Sequence, residues 1–344
     1  MESVAAIIER AIAAHAFPAA TIEVGRRERA LWRGAFGRLT YADDAPIVTE
    51  ATVFDLASLT KVIATTTLAM RAIDAGRLAL DDLVAERLSD WRGADREAVT
   101  IADLLEHASG LTAYLPFFRD HHGRVEFQRA ICTLPLEYTP RTQSIYSDLG
   151  FILLGFMLED AGFPLSGFRL NAGDPVFNPP REWRERTAPT ELDLWRGRLL
   201  QGEVHDENTW ALGGLAGHAG LFGTAGGVGV FARMVLDGLN GGSTLARPET
   251  LARFVRKSTV PGSSRALGWD TMLTTSSCGT RLSPRAIGHT GFTGTSLWLD
   301  PELDLYVAFL TNRVHPTREN NRIQPVRRAV HDAVVESLQS AVGG

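Results

Sequence analysis

Strand-forming patterns occupy the two ends of this 344-residue chain, and helical patterns fill the middle. Near the start, Ala19 to Val24 and Ala30 to Phe36 are short, partly alternating apolar runs on either side of the charged turn Arg26-Arg27-Glu28-Arg29, which predicts an antiparallel hairpin. Near the end, Thr295 to Leu299 and Leu303 to Leu310 flank Asp300-Pro301-Glu302, the signature of a second hairpin. Two ends that share one sheet leave the intervening chain to pack as an insertion. The expected fold is therefore mixed α/β of the α+β kind, in one domain over residues 1–344. A sheet lobe is built from 1–57 and 246–344 and flanked by terminal helices, and an all-helical lobe from 58–245 is inserted into it. A site is expected where the lobes meet.

From Ser58 to Ala75 the apolar residues Leu59, Ile63, Met70 and Ile73 recur at helical spacing, and Gly76 stops the run. Further helices are expected near Ile101 to Glu106, Val125 to Leu134, Leu149 to Asp160 and Val228 to Leu239. An amphipathic helix opens the chain, and another, over Pro325 to Ser340, closes it. The stretch from Phe163 to Asn208 carries Pro164, Pro175, Pro179, Pro180 and Pro189 among charged residues, with Trp183 and Trp195, so regular structure is hard to sustain there. So long an irregular segment is either a lid over the cleft or surface padding.

Chemistry concentrates at Ser58-Leu59-Thr60-Lys61, where the long periodic helix begins. Three residues of helical separation put both side chains on one face, so the lysine amine reaches the serine hydroxyl. A serine hydroxyl is a poor nucleophile until a neighbour takes its proton, and a desolvated lysine can do so. The N–H groups of a helix start also favour developing negative charge. Two further motifs follow in order: Tyr146-Ser147-Asp148 ahead of a helix, and His289-Thr290-Gly291 ahead of a strand expected from Phe292 to Leu299. With these three motifs the chain resembles the class C beta-lactamase family, which also contains penicillin-binding DD-peptidases and carboxylesterases. Leu104-Leu105-Glu106-His107-Ala108-Ser109-Gly110-Leu111 and Gly220-Leu221-Phe222-Gly223-Thr224-Ala225 are similar to that family's text as well, and the resemblance runs from about Phe17 to the last helix.

The resemblance implies a beta-lactamase/transpeptidase-like fold and a serine hydrolase that works through an acyl-enzyme on a beta-lactam, a carboxylic ester or a D-amino-acid peptide. It implies Ser58 as nucleophile, Lys61 and Tyr146 as managers of its proton, and the backbone N–H groups of Ser58 and Phe292 as the oxyanion hole. Asp148, His289, Thr290 and Gly291 are the implied substrate-binding positions. Two of these depart from the family pattern. Asp148 stands where the family has Asn; an ionised Asp only accepts hydrogen bonds, and it is placed to pair with Lys61 and hold it charged, which shifts base duty toward Tyr146. His289 replaces a lysine that faces the substrate carboxylate in many relatives, and near neutral pH it carries at best a partial charge. Both departures favour an ester, a small amide or a specialised peptide over vigorous penicillinase activity, and they leave open a sensor that is acylated and turns over slowly.

No cofactor or metal is expected: Val204-His205-Asp206-Glu207-Asn208 and Gly217-His218-Ala219-Gly220 match no familiar zinc spacing. His218 is either a cleft-lining residue or a buried histidine in a glycine-rich turn. Cys132 and Cys278 read as two buried free thiols. With 35 Lys plus Arg against 40 Asp plus Glu, the net charge of −5 offers phosphate backbones no general attraction, so the expected partner is a small-molecule or short-peptide substrate, not nucleic acid. No apolar run is long enough to span a bilayer. The N-terminus lacks the basic start of a secretory signal, giving a cytoplasmic expectation for the chain as it stands and a periplasmic or secreted one if a signal has been trimmed.

Overall fold

A computed structural model describes residues 1–170 and 174–342. Its strands are β1 (Ala19–Gly25), β2 (Ala30–Gly37), β3 (Phe54–Asp55), β4 (Val176–Phe177), β5 (Leu192–Asp193), β6 (Arg198–Leu199), β7 (Leu221–Gly223), β8 (Asp270–Thr271), β9 (Ile287–Thr290), β10 (Ser296–Asp300) and β11 (Leu305–Thr311). The helices are α1 (Glu2–Ala13), α2 (Thr66–Asp74), α3 (Val84–Arg87), α4 (Ile101–Leu105), α5 (Gly123–Cys132), α6 (Asp148–Asp160), α7 (Glu207–Ala211), α8 (Ala225–Leu239), α9 (Pro248–Phe254) and α10 (Ile323–Val342).

The two predicted terminal hairpins join into one antiparallel sheet of order β2-β1-β11-β10-β9-β8, in which the first strand of the chain pairs with the last, Ile22 opposite Phe309. Successive side chains of a strand point to opposite faces, and both faces of this sheet are covered. Leu305, Val307 and Phe309 pack with Val4 and Ile8 of α1 and Val330 and Val334 of α10. Tyr306, Ala308 and Leu310 join Val228, Phe231 and Val235 of α8 in the larger core, which continues through α2, α4, α5 and α6. Two-sided burial is why β11 reads as a continuous apolar run. Cys132 and Cys278 are free and buried in these two cores. No helix of the described residues is long and apolar enough to cross a membrane.

Two local expectations change. The helix entered at Ser58 is not a regular α-helix, because Lys61–Thr65 forms a π turn ahead of α2. Side chains of the turn are anchored sideways: the Thr65 hydroxyl donates to the Gly217 carbonyl at 2.6 Å, and Thr60 Oγ1 accepts from the Leu221 N–H at 3.1 Å. Such wide turns recur at functional sites. The expected strand from Phe292 begins only at Ser296, because Gly291 to Thr295 closes a tight turn in which Gly294 takes φ +118°. His289 and Thr290 themselves lie on β9. The irregular stretch 163–208 contributes β4 to a small sheet β3-β7-β4, the hairpin β5-β6, and a bridge from Thr187 to Val53 beside β3; residues 171–173 of it lie outside the described residues.

Candidate active site

Asp55, at the end of β3, fixes the backbone that delivers Ser58. Its carboxylate accepts the Ala57 N–H at 2.8 Å and the His205 N–H at 2.7 Å. Burial pushes this carboxyl up, and the two N–H donors draw it back part of the way. Between Asp55 and Ser58, Ala57 is held at φ +46°, a left-handed conformation that costs a residue with a Cβ and is kept only where the surroundings impose it. Ser58 follows, half-buried, with its N–H accepted by no group of the described residues.

Lys61 is completely buried, and its ammonium is saturated by three acceptors: Ser58 Oγ at 3.1 Å, Asp148 Oδ1 at 2.6 Å and the His218 carbonyl at 3.1 Å. Burial pulls the ammonium down, but the Asp148 carboxylate, seconded by Tyr146, outweighs it, and the net displacement is upward. Lys61 is therefore a charged donor at rest. The pairing of Asp148 with Lys61 that the sequence allowed is the one formed, so Asp148 is bound to the Ser58 and Lys61 cluster as well as lining the cleft.

Tyr146 stands between the other two motifs. Its ring lies 4.8 Å from the Lys61 Nζ and 5.7 Å from the His289 ring. Burial raises the phenol, and the charge of the nearby Lys61 ammonium lowers it without cancelling that rise. The approach to Tyr146 is set by His107, a residue the motif reading passed over. His107 Nδ1 accepts the Ser147 N–H at 3.0 Å, its carbonyl takes the Ile145 N–H at 3.0 Å, and its ring lies 4.7 Å from that of Tyr146. Burial holds His107 well below the usual imidazole range, so it stays neutral and accepts. Ser147 then caps α6, which starts at Asp148.

The third motif is fastened to the strand before Ser58. Thr293 Oγ1 donates to the Asp55 carbonyl at 2.7 Å and Thr295 Oγ1 to the Leu56 carbonyl at 3.0 Å. Gly291 is required by that closeness, since a Cβ there would sit 2.1 Å from Thr295 Oγ1 and 2.6 Å from the Leu56 oxygen. The Phe292 N–H, like that of Ser58, has no acceptor among the described residues, and the Phe292 ring is framed by His205 and the Arg313 guanidinium. His289 is nearly buried; its Nδ1 faces the Thr290 carbonyl at 2.8 Å and therefore carries the proton, while burial and the nearby Lys61 keep the ring neutral. The partial charge expected of His289 is thus absent.

Ser58 lies between two cavities. One of about 300 Å³ is lined by Tyr146, Thr290, Gly291 and three arginines, Arg265, Arg313 and Arg327, of which Arg265 is paired at 3.9 Å with Asp270, also in the lining. These cations form no motif in the sequence, and they bring to the cleft the positive charge that His289 does not. The other, about 320 Å³, is lined by Tyr114, Asp148, Asp206, Glu207, His218 and Arg318. His218 thus lines the cleft while its Nε2 faces Asp206 Oδ1 at 2.8 Å; burial pushes the Asp206 carboxyl up, but His218 and Thr209 outweigh it and hold it below the usual range.

Residues 4–332 match the family model described as Beta-lactamase. A protein of Salmonella agona (strain SL483) named "Putative D-alanyl-D-alanine carboxypeptidase" is 30% identical over 318 residues, spanning 81% of this chain and 73% of its own. Among solved structures, a class C beta-lactamase superposes with a TM-score of 0.76 at 17% identity, covering 96% of this chain and 95% of its own. EstCE1, a hydrolase with promiscuous acyltransferase activity, superposes with a TM-score of 0.73 at 21% identity, covering 96% and 98%. The expected beta-lactamase/transpeptidase-like fold is therefore the observed one, with one correction: the 58–245 lobe is not all-helical, because β4, β5, β6 and β7 lie within it and β7 pairs with β3 of the other lobe.

Proposed function

Because the chain belongs to the beta-lactamase family and is a serine hydrolase of that kind, we propose that it cleaves an acyl donor whose leaving group carries a carboxylate, with D-alanyl-D-alanine-type peptides as the foremost class. The observation that carries this reading is the cavity beside Ser58, in which neither Arg313 nor Arg327 has a carboxylate partner among the described residues. Two buried, uncompensated guanidiniums call for an anion. The name of the Salmonella relative points the same way.

In the proposed mechanism the Ser58 oxygen bonds to the carbonyl carbon while the C=O electron pair moves to oxygen, held by the Ser58 and Phe292 N–H groups. Lys61 is charged at rest, so it must first pass a proton to Asp148, 2.6 Å away, before it can take one from Ser58. A substrate that covers Asp148 favours this transfer, since desolvation disfavours the ion pair. Collapse breaks the bond to the leaving amine, which takes its proton through Tyr146, and water then hydrolyses the ester on Ser58.

The test is a parallel screen of wild type and Ser58→Ala against short-chain p-nitrophenyl esters, a chromogenic beta-lactam and a D-Ala-D-Ala peptide. The expected result is preference for the carboxylate-bearing donors and complete loss in Ser58→Ala; hydrolysis that survives the substitution refutes the mechanism. The charged resting state of Lys61 also favours a second reading, a penicillin-binding sensor that deacylates slowly. Intact-protein mass after incubation with a penicillin separates the two: a lasting adduct without turnover supports the sensor, and unmodified protein with consumed penicillin supports the enzyme.

A further inference from the structure

We infer that Arg327, on α10, is a positioning residue for the oxyanion hole: it fixes the peptide whose other end is the Phe292 N–H. The inference rests on the reading of that N–H as an oxyanion donor.

Arg327 Nη2 donates to two carbonyls, Gly291 and Thr295, each at 2.9 Å. The Gly291 carbonyl and the Phe292 N–H belong to one planar trans peptide and point in opposite directions. Anchoring the carbonyl toward α10 therefore aims the N–H away from α10. A cationic donor on the carbonyl also polarises the peptide and makes its N–H a better donor.

The fold does not need this contact. The Gly291 carbonyl already accepts the Gly294 N–H at 3.1 Å, and the Thr295 carbonyl already accepts the Gly291 N–H at 2.7 Å, so removing Arg327 orphans neither oxygen. The arrangement is instead costly to keep. Arg327 is nearly buried with its Nε unpartnered, and burial pulls the guanidinium down to about 9, helped by Arg313 nearby. On α10 it occupies a place on the apolar stripe of Ile323, Val330 and Val334, where an aliphatic residue would be easier to bury. A buried charge retained where the backbone is already satisfied fits a role in the reaction.

Arg327→Met separates this role from its rivals. The variant is expected to fold with an unchanged or raised Tm. Its kcat per active site on a neutral p-nitrophenyl ester is expected to fall by about 10- to 100-fold, less than the ~10²–10³ typical of deleting a donor outright. KM is expected to stay unchanged. The affinity for phenylboronic acid, which adds to serine as a tetrahedral anion, should fall in step with kcat. Arg327→Lys keeps a cationic donor and should recover most of both. The inference is overturned if Arg327→Met leaves neutral-ester kcat and boronate affinity intact and raises only the KM of carboxylate-bearing donors, since Arg327 then serves solely as the carboxylate contact of the proposed function and does not position the oxyanion donor. It is equally overturned if Arg327→Met fails to fold or if the lysine variant is as slow as the methionine one. Ester hydrolysis persisting in Ser58→Ala would instead remove the underlying mechanism, whatever the Arg327 variants do.

Discussion

Adding one methyl group at Gly291 tests how tightly the third motif is locked to Ser58, the proposed nucleophile. In Gly291→Ala the new Cβ would lie 2.1 Å from Thr295 Oγ1, 2.6 Å from the Leu56 oxygen and 3.3 Å from the Ala57 Cβ. The threonine hydroxyl can rotate away, losing its 3.0 Å bond to the Leu56 carbonyl at a cost of about 1 kcal/mol. The Leu56 oxygen belongs to the backbone two residues before Ser58 and can be relieved only by moving the strand or the turn by roughly half an ångström. Overpacking of this kind destabilises by ~1–3 kcal/mol, a drop of a few degrees in a chain of this size. The catalytic cost is larger, because the displacement falls on the two segments that carry the Ser58 and Phe292 N–H groups. A misplacement approaching 1 Å costs on the order of 10²-fold. Steady-state kinetics on p-nitrophenyl butyrate, normalised to active sites titrated by a burst, should show kcat/KM reduced by roughly 30- to 100-fold with Tm lowered only slightly. A variant that is as active per site as wild type, within about twofold, shows that the turn and the nucleophile strand are not mechanically coupled and refutes the reasoning.

Two further outcomes follow from named contacts. In Asp148→Asn the carboxylate that outweighs burial at Lys61 is gone, so burial is opposed only by the weaker influence of Tyr146 and the amine loses its proton more easily. The acidic limb of kcat/KM should then move to lower pH, and an unmoved limb would show that Lys61 is not the group titrating. Far from the cleft, fully buried Glu23 accepts from the Tyr306 hydroxyl, Arg33 Nε and Arg233 Nη1, each at 2.7 Å. Glu23→Ala removes the carboxylate from Arg233 and from the buried Tyr306 hydroxyl, while half-exposed Arg33 keeps Glu50 at 4.0 Å, and should cost about 1–3 kcal/mol of stability in denaturant unfolding, with kcat per folded molecule unchanged.

Short-range physics was legible in the sequence. The two hairpins, the terminal helices and the start of α6 follow from period, turn chemistry and capping, all of which act within about ten residues. The serine and lysine pair is legible for the same reason, three residues on one turn of helix. The sequence also raised the Asp148 to Lys61 contact as an option, but 87 residues separate them, and only the seating of α6 against the π turn brings their charged atoms to 2.6 Å. That contact decides that Lys61 rests charged, a property neither residue has alone. The side chains of His107, Asp55 and Thr293 act on backbone groups that any residue could present, so even for His107, inside a stretch similar to the family's, the partner and the role appear only in the fold. The cationic cavity is the clearest case. Arg265, Arg313 and Arg327 come from three separate segments and look like ordinary surface arginines among the 35 basic residues of the chain. One faint sign was present, an arginine on the apolar stripe of the last helix. Local chemistry was written in the order of residues, whereas charge, protonation and the opposing N–H groups of the site depend on what tertiary packing desolvates and brings together.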